Sequence, residues 1–238
     1  MGVKIGCCGF PVSRSRYFEI FDVVELQQTF YQLPRPSTAV KWREQSPEGF
    51  EYTIKAWQLI THEPKSPTYR RLKIKIPPTA EKKYGSFKPT DELMWAWERT
   101  KEITDLLKAR IIVFQCPPSF TPTEENRRNL RHFFSSIERS TYSFAWEPRG
   151  SWTAEEIEGI CRELDLVHVV DPFKSKATHG SIRYYRLHGI DGYSYRYTKQ
   201  DLLKLRDVGS MERGTYCLFN NISMFDDARE FRKLVEES

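Results

Sequence analysis

Ile111-Ile112-Val113-Phe114-Gln115 and Ser143-Phe144-Ala145-Trp146-Glu147 are two short apolar runs that enclose a segment with helical spacing. In that segment Leu130, Phe133 and Phe134 repeat every three or four positions, as on the buried face of an amphipathic helix. A short apolar run, a helix and a second short apolar run predict two parallel strands joined by a crossover helix.

The same unit recurs along the whole chain. Amphipathic segments separate most of the runs, so the alternation predicts a parallel sheet, and eight strands favour closure into a barrel. Neither a G-x-G-x-x-G fingerprint nor a P-loop is present, which argues against an open nucleotide-binding sheet. We therefore predict one irregular (β/α)₈ TIM-like barrel domain over residues 1–238, with strands at Val3–Cys8, Asp22–Leu26, Phe50–Lys55, Ile111–Gln115, Ser143–Glu147, Leu166–Val170, Ile182–Leu187 and Thr215–Phe219.

The connections between these strands are unequal. Residues 56–110, after the third strand, form a long proline-containing excursion, and we expect Ala56–Thr90 to cover part of the barrel mouth. This cover should bring His62 toward Arg149 or His188. By contrast, Phe10–Phe21 and Asp171–Ser181 are short, so the helices after the first and sixth strands should be degenerate or missing.

Composition limits the classes of protein to consider. The 238 residues carry a formal net charge of +5, which fits either a solvated basic surface or a surface that attracts phosphates. Five cysteines without metal-ligand spacing, no membrane-length apolar run and no visible signal peptide predict a cytoplasmic protein that does not span a membrane.

Side-chain alternation indicates which residues point into the barrel. The outward set on each strand must be apolar because helices cover it, so the polar residues in between point inward. Five strands then place a polar side chain inward near their C-terminal ends, where barrels of this class hold their sites. These side chains are Glu25, Lys55, Gln115, Glu147 and Arg186, with His188 just beyond the last of them.

These residue types suggest specific roles. Glu25, Glu147 and His188 are the candidate catalytic acids and bases. The candidate substrate-binding residues are those whose side chains hold anions or donate hydrogen bonds. A purely structural ion-pair network, such as Glu147 with Arg186, is the alternative, and without an H-E-x-x-H motif a divalent metal or other cofactor stays undetermined. The binding candidates are Lys55, His62, Gln115, Arg149, Arg186, Asn220 and Asn221.

Several motifs that contain these residues resemble the YecE-like family, known as domain of unknown function 72. They follow the family's order and span nearly the whole chain. The resemblance implies a TIM-barrel fold but supplies no reaction. The matching stretches are Val24–Tyr31, Pro47–Phe50, Leu59–Glu63, Phe114–Phe120, Glu147–Trp152, Arg186–Gly189 and Phe219–Asn221.

Two hypotheses for function follow from the sequence. The first is an enzyme, hydrolase-like, that acts on a phosphorylated or nucleic-acid-derived substrate at the C-terminal face of the barrel. The second is a non-catalytic module that binds a nucleic acid or a small anion. A glycosidase-like use of Glu25 and Glu147 is a third and weaker interpretation. Tyr193, Tyr195 and Tyr197 either pack over the mouth or stack on a sugar or base.

Overall fold

The computed structural model describes residues 2–139, 141–208 and 214–237. Eight parallel strands close into a barrel in which every strand pairs with its neighbours in sequence and the first pairs with the last. The predicted TIM-barrel fold is thus confirmed. The strands are β1 (Val3–Cys8), β2 (Val23–Leu26), β3 (Glu51–Lys55), β4 (Ile111–Gln115), β5 (Ser143–Glu147), β6 (Val167–Val170), β7 (Arg183–Leu187) and β8 (Thr215–Phe219).

The barrel wall separates two apolar regions. A small interior cluster contains Val23, Val113, Ala145 and Val169, whereas the large aromatic core lies between the strands and the helices. Phe114, Phe144 and other outward residues belong to that outer core, as the alternation rule requires. The C-terminal half of the interior is polar, and it is there that the inward charged side chains collect.

Helices alternate with the strands but differ greatly in length. Thr153 and Glu156 form a capping box at the start of the helix after β5, whereas Ser223 begins the last helix without any side-chain cap. No helix occurs between β6 and β7, and the one after β1 has five residues, as predicted. The helices are α1 (Arg14–Phe18), α2 (Gln28–Tyr31), α3 (Pro36–Glu44), α4 (Gln58–Thr61), α5 (Asp91–Leu106), α6 (Glu124–Ser136), α7 (Ala154–Glu163), α8 (Lys199–Val208) and α9 (Met224–Glu236).

Tyr17 links β1 to β2 by two hydrogen bonds, close to where the polar C-terminal half of the barrel begins. The Tyr17 hydroxyl accepts a hydrogen bond from the Cys7 amide at 2.8 Å and donates one to the Val23 carbonyl at 2.8 Å. A Cβ on Gly6 would approach the Val23 carbonyl oxygen to 2.2 Å, so only glycine fits between these elements. This close contact fixes the position from which β1 enters the site.

The excursion after β3 contains α4, two 3₁₀ turns (Pro67–Arg71 and Pro78–Lys83) and α5. Its first part folds back on itself, because the Gly85 amide donates to Leu59 and the Phe87 amide donates to Ile60. Phe87 then enters the aromatic core, where it contacts Phe120 and Phe133. Within the described ranges no helix is long and apolar enough to cross a membrane.

Candidate functional site

A cavity of about 760 Å³ opens at the C-terminal ends of the strands. Several strand-end residues named from the sequence line it, including Lys55, Gln115, Arg149 and Arg186. Its outer wall comes from the loop after β1, from α2 and from the excursion. The remaining lining residues that matter below are His188, Asn220, Arg14, Arg71, Tyr31 and Tyr193.

Arg186 lies at the centre of the polar cluster and is 1% exposed. Its Nε and Nη2 contact the two carboxylate oxygens of Glu25 at 3.1 and 3.0 Å, and its Nη1 donates to Glu147. The Tyr184 hydroxyl also donates to Glu25, at 2.9 Å. One guanidinium thus joins two carboxylates from β2 and β5, which is the bidentate geometry that arginine provides and lysine does not.

Glu147 connects this buried pair to the cavity wall. Arg149 donates to its Oε1 through Nε at 3.0 Å and Nη2 at 2.8 Å, and Gln115 is 3.4 Å from the same oxygen. Burial raises the pKa of Glu147, but the charges of Arg186 and Arg149 outweigh burial and hold that pKa well below its usual range. Glu147 is therefore an anion at neutral pH and not a proton donor.

His188 follows β7 and touches the same arginine. Its Nε2 is 2.8 Å from Arg149 Nη2, and because arginine only donates, Nε2 is the acceptor and Nδ1 carries the proton. Nδ1 lies 4.0 Å from Asp171, whose carboxylate accepts the His188 amide at 3.2 Å. Burial, followed by the charge of Arg186, lowers the pKa of His188 to about 4, so the imidazole is neutral.

Lys55 ends β3 and is 5% exposed. Its Nζ lies 3.6 Å from the centre of the Phe30 ring and makes no hydrogen bond or ion pair with the described part of the chain. Burial, and then the charge of Arg186, lowers the pKa of Lys55 to about 7. This side chain therefore loses its proton more readily than an ordinary lysine does.

His62 lies on the excursion, at the end of α4, and is buried against Phe30 with ring centres 4.8 Å apart. Its Nδ1 is 2.8 Å from the Thr61 hydroxyl. Burial, followed by the charges of Lys55 and Arg149, lowers its pKa to about 3. The influence of Arg149 agrees with the expected approach of His62 to the cavity, although His62 is not among the residues that line it.

The two asparagines after β8 have different positions. Asn220 lines the cavity, whereas Asn221 is fully buried and donates to Tyr195 and to Asp227 on α9. The tyrosines of this region divide in the same way. Tyr193 is 56% exposed and lines the cavity, whereas Tyr195 and Tyr197 pack edge to face against each other.

Several site residues were not singled out from the sequence: Arg14 and Arg71 on the cavity wall, and Asp171 and Tyr184 beside the buried cluster. Asp171 continues the inward set Val167, Val169 of β6 by one step, so alternation alone would have found it. Tyr184 occupies the inward position before Arg186. Alternation places its side chain in the interior but does not indicate that its hydroxyl contacts Glu25 and Thr53.

The site residues do not fit a divalent metal. No group of three or more His, Cys, Asp or Glu side chains among the described residues is arranged to hold one. Both oxygens of Glu25 and of Glu147 face guanidinium groups, whose charge repels a cation. No metal-dependent step is therefore assigned to these residues.

The positive and negative charges within the buried cluster balance, whereas the cations around the cluster are not balanced by carboxylates in the described part of the chain. Arg186 and Arg149 offset Glu25 and Glu147. Lys55, Arg14 and Arg71 line the same cavity without an ion-pair partner in the described part of the chain, and the latter two lie over the rings of Trp42 and Tyr31, at 4.4 and 3.6 Å. The cavity thus has a surplus of positive charge.

Two further cavities adjoin the central one. One, of about 570 Å³, shares Arg149 and His188 with it and includes Asp171 and Lys174. The other, of about 700 Å³, shares Tyr31 and Arg71 and extends past α3. Together the three form a groove across the C-terminal face.

The fold and site define a class: a TIM barrel with a basic, arginine-rich cavity at the ends of its strands. Within that class, a family model described as "Protein of unknown function DUF72" matches residues 13–238, and the chain belongs to this family. The chain is also 26% identical to the UPF0759 protein YunF of Bacillus subtilis, over 92% of this chain and 84% of that protein.

Solved structures share the barrel. A DUF72 family protein of Enterococcus faecalis superposes with a TM-score of 0.74 at 21% identity, covering 100% of this chain and 98% of that one. A DUF72 family protein of Thermotoga maritima gives 0.73 at 22%, with 99% and 100% covered. Endonuclease IV from Thermus thermophilus gives 0.54 at 12%, with 99% and 100% covered. At these identities the comparisons show the common fold.

Proposed function

We propose that this protein is an enzyme that hydrolyses a phosphorylated or nucleic-acid-derived substrate in the C-terminal cavity. The observation that carries the proposal is the surplus of positive charge around a charge-balanced core. Lys55, Arg14 and Arg71 face one cavity and have no carboxylate partner among the described residues, which favours an anionic occupant. Arginine held on an aromatic face, as Arg71 is on Tyr31, presents a fixed fork to a phosphate.

Arg149 is the group that links anion binding to chemistry. It donates to both Glu147 and the Nε2 of His188. A substrate phosphate competes for this guanidinium, and its negative charge raises the pKa of His188 from its low value. The freed Nε2 is then available to take a proton from the attacking water, with Asp171 orienting the ring from the other side.

In this proposal Glu25 and Glu147 position the guanidinium of Arg186. Glu25 is fully buried and absent from the cavity lining, and Glu147 is held as an anion. A glycosidase needs one carboxyl group that keeps its proton, and Glu147, held as an anion by Arg186 and Arg149, does not supply it. Direct acid–base roles for these two residues stay predictions.

The test is titration calorimetry with ribose 5-phosphate and with ribose, followed by a screen of nucleotides and sugar phosphates for cleavage products. Phosphate-dependent binding should weaken about tenfold or more in Arg71→Met, since a charge-assisted hydrogen bond is worth about 1.5–3 kcal/mol. Arg131→Met, which removes an exposed arginine of α6, should bind like the wild type. His188→Asn should bind but lose turnover. Equal binding of ribose and ribose 5-phosphate would refute the proposal.

A second candidate is a non-catalytic module that binds a nucleic acid. The continuous groove with Tyr31, Tyr193 and Arg71 supports it, because stacked rings and cations are how single strands are held. A binding module would retain a short single-stranded oligonucleotide with affinity that falls steeply with salt, and no product would form. Product formation that His188→Asn abolishes would exclude it.

A further inference from the structure

We propose that Lys55 is a nucleophile whose amine forms an imine with the anomeric, aldehyde-level carbon of a phosphorylated sugar. This inference rests on the proposed function and deepens it, because it names the substrate class and the reacting carbon.

Lys55 is a buried amine without a carboxylate partner in the described part of the chain. Its Nζ lies over the ring of Phe30, a contact open to the ammonium form, but the carboxylates that could fix it as an ammonium are bound to Arg186 and Arg149. The amine therefore borders the cavity with its lone pair uncommitted. Burial beside another cation is how lysines in general become nucleophilic near neutral pH, and the low pKa of Lys55 agrees with this.

The backbone at Lys55 is held firmly. Its carbonyl accepts the Thr29 hydroxyl at 2.7 Å, and the next amide, of Ala56, donates to Val113 at 2.9 Å. A nucleophile on a fixed strand end attacks one position of a bound substrate. The anion-binding groups of the same cavity, Arg71 and Arg149, would hold the phosphate end and leave the other end for Lys55.

The step balances without any further reagent. The neutral amine adds to the aldehyde carbon of the open-chain sugar, and one amine hydrogen passes to the oxygen to give a carbinolamine. The C–O bond then breaks, and the second amine hydrogen leaves with that oxygen as water. The product is an imine between Lys55 and the sugar, and addition of water reverses both steps.

The same intermediate accounts for hydrolysis of a nucleotide. The amine forms a bond to the anomeric carbon, the bond from that carbon to the base breaks, and the base leaves with an amine hydrogen. The ring C–O bond opens next, and the ring oxygen takes the second amine hydrogen, which gives the imine. Water then releases the sugar phosphate and restores the amine, so the net reaction is hydrolysis of the N-glycosidic bond.

The experiment is borohydride trapping with ribose 5-phosphate, followed by mass spectrometry of the intact protein and its peptides. We expect one reduced adduct on Lys55, formed faster as the pH rises through 7, and its formation should be suppressed by ribitol 5-phosphate, which lacks the aldehyde. Lys55→Arg, which keeps the positive charge but has no nucleophilic amine, should lose the adduct. Lys174, which borders the adjoining cavity, serves as the internal control and should remain unmodified.

The outcomes separate this inference from the proposed function. Calorimetric binding of ribose 5-phosphate without an adduct on Lys55 would overturn the imine and leave the phosphate site standing. Adducts spread over surface lysines, or an adduct in Lys55→Arg equal to that of the wild type, would overturn it as well. An adduct that ribose forms as readily as ribose 5-phosphate, with no competition by ribitol 5-phosphate, would instead contradict the phosphate site.

Discussion

Replacing Arg186 by lysine should destabilise the protein strongly although the charge is kept. Arg186 makes three contacts with two carboxylates, two with Glu25 at 3.1 and 3.0 Å and one with Glu147. The lysine side chain is shorter and ends in a single ammonium group, so it reproduces about one of these three contacts. Two lost charge-assisted hydrogen bonds, at about 1.5–3 kcal/mol each, amount to about 3–6 kcal/mol, and breaking a buried ion pair costs about 3–5 kcal/mol, so we expect a loss of about 3–5 kcal/mol in the free energy of unfolding.

That loss corresponds to a fall in Tm of about 6–20 °C for a chain of this length. Urea unfolding followed by circular dichroism, with calorimetry for Tm, measures both quantities. The matched control is Arg131→Lys, because Arg131 also contacts both oxygens of one carboxylate, Glu163, but with side chains 42% and 46% exposed. The control should change stability by about 0.5 kcal/mol or less. Equal effects in the two variants would refute the role assigned to the buried cluster.

Three further predictions follow from the pKa shifts and the strand contacts. Glu147, whose folded pKa is lowered, stabilises the fold above its ordinary pKa of 4.5 and loses that contribution as pH falls below it, so Glu147→Gln should flatten the acid side of a stability–pH curve measured by urea unfolding. Lys55 has a folded pKa of about 7 against an ordinary 10.5, so the unfolded chain binds more protons between these values, and stability should rise with pH across this window in the wild type but not in Lys55→Met. Tyr17→Phe leaves the Cys7 amide and the Val23 carbonyl without their partner and should cost about 1–3 kcal/mol by the same urea measurement, whereas an unchanged midpoint would contradict the contact.

The barrel could be predicted from the sequence because each of its strands is a short apolar run with clear boundaries. Each of the eight predicted runs coincides with an observed strand to within one residue at either end. Alternation also found the inward charges, since helices impose apolar residues on the outer face. The same rule, extended one step past β6, would have reached Asp171.

The sequence suggested the pairing of Glu147 with Arg186, which the structure shows, but not the full set of partners. Alternation says that Glu25, Glu147 and Arg186 share the interior, but not that one guanidinium joins both carboxylates, which depends on the stagger of the strands around the barrel. The different positions of Asn220 and Asn221 likewise depend on the turn after β8. The lowered pKa of Lys55 depends on its burial and on the charge of Arg186, which is distant in sequence.

A crystal structure of the protein soaked with ribose 5-phosphate tests the central claim most directly. The account predicts a phosphate within hydrogen-bond distance of Arg149 or Arg71, in the cavity at the strand ends, with Arg186 still bound to Glu25 and Glu147. A phosphate found only on the outer surface, such as beside Lys82 and Lys88, or none in the cavity at a saturating concentration, would contradict it.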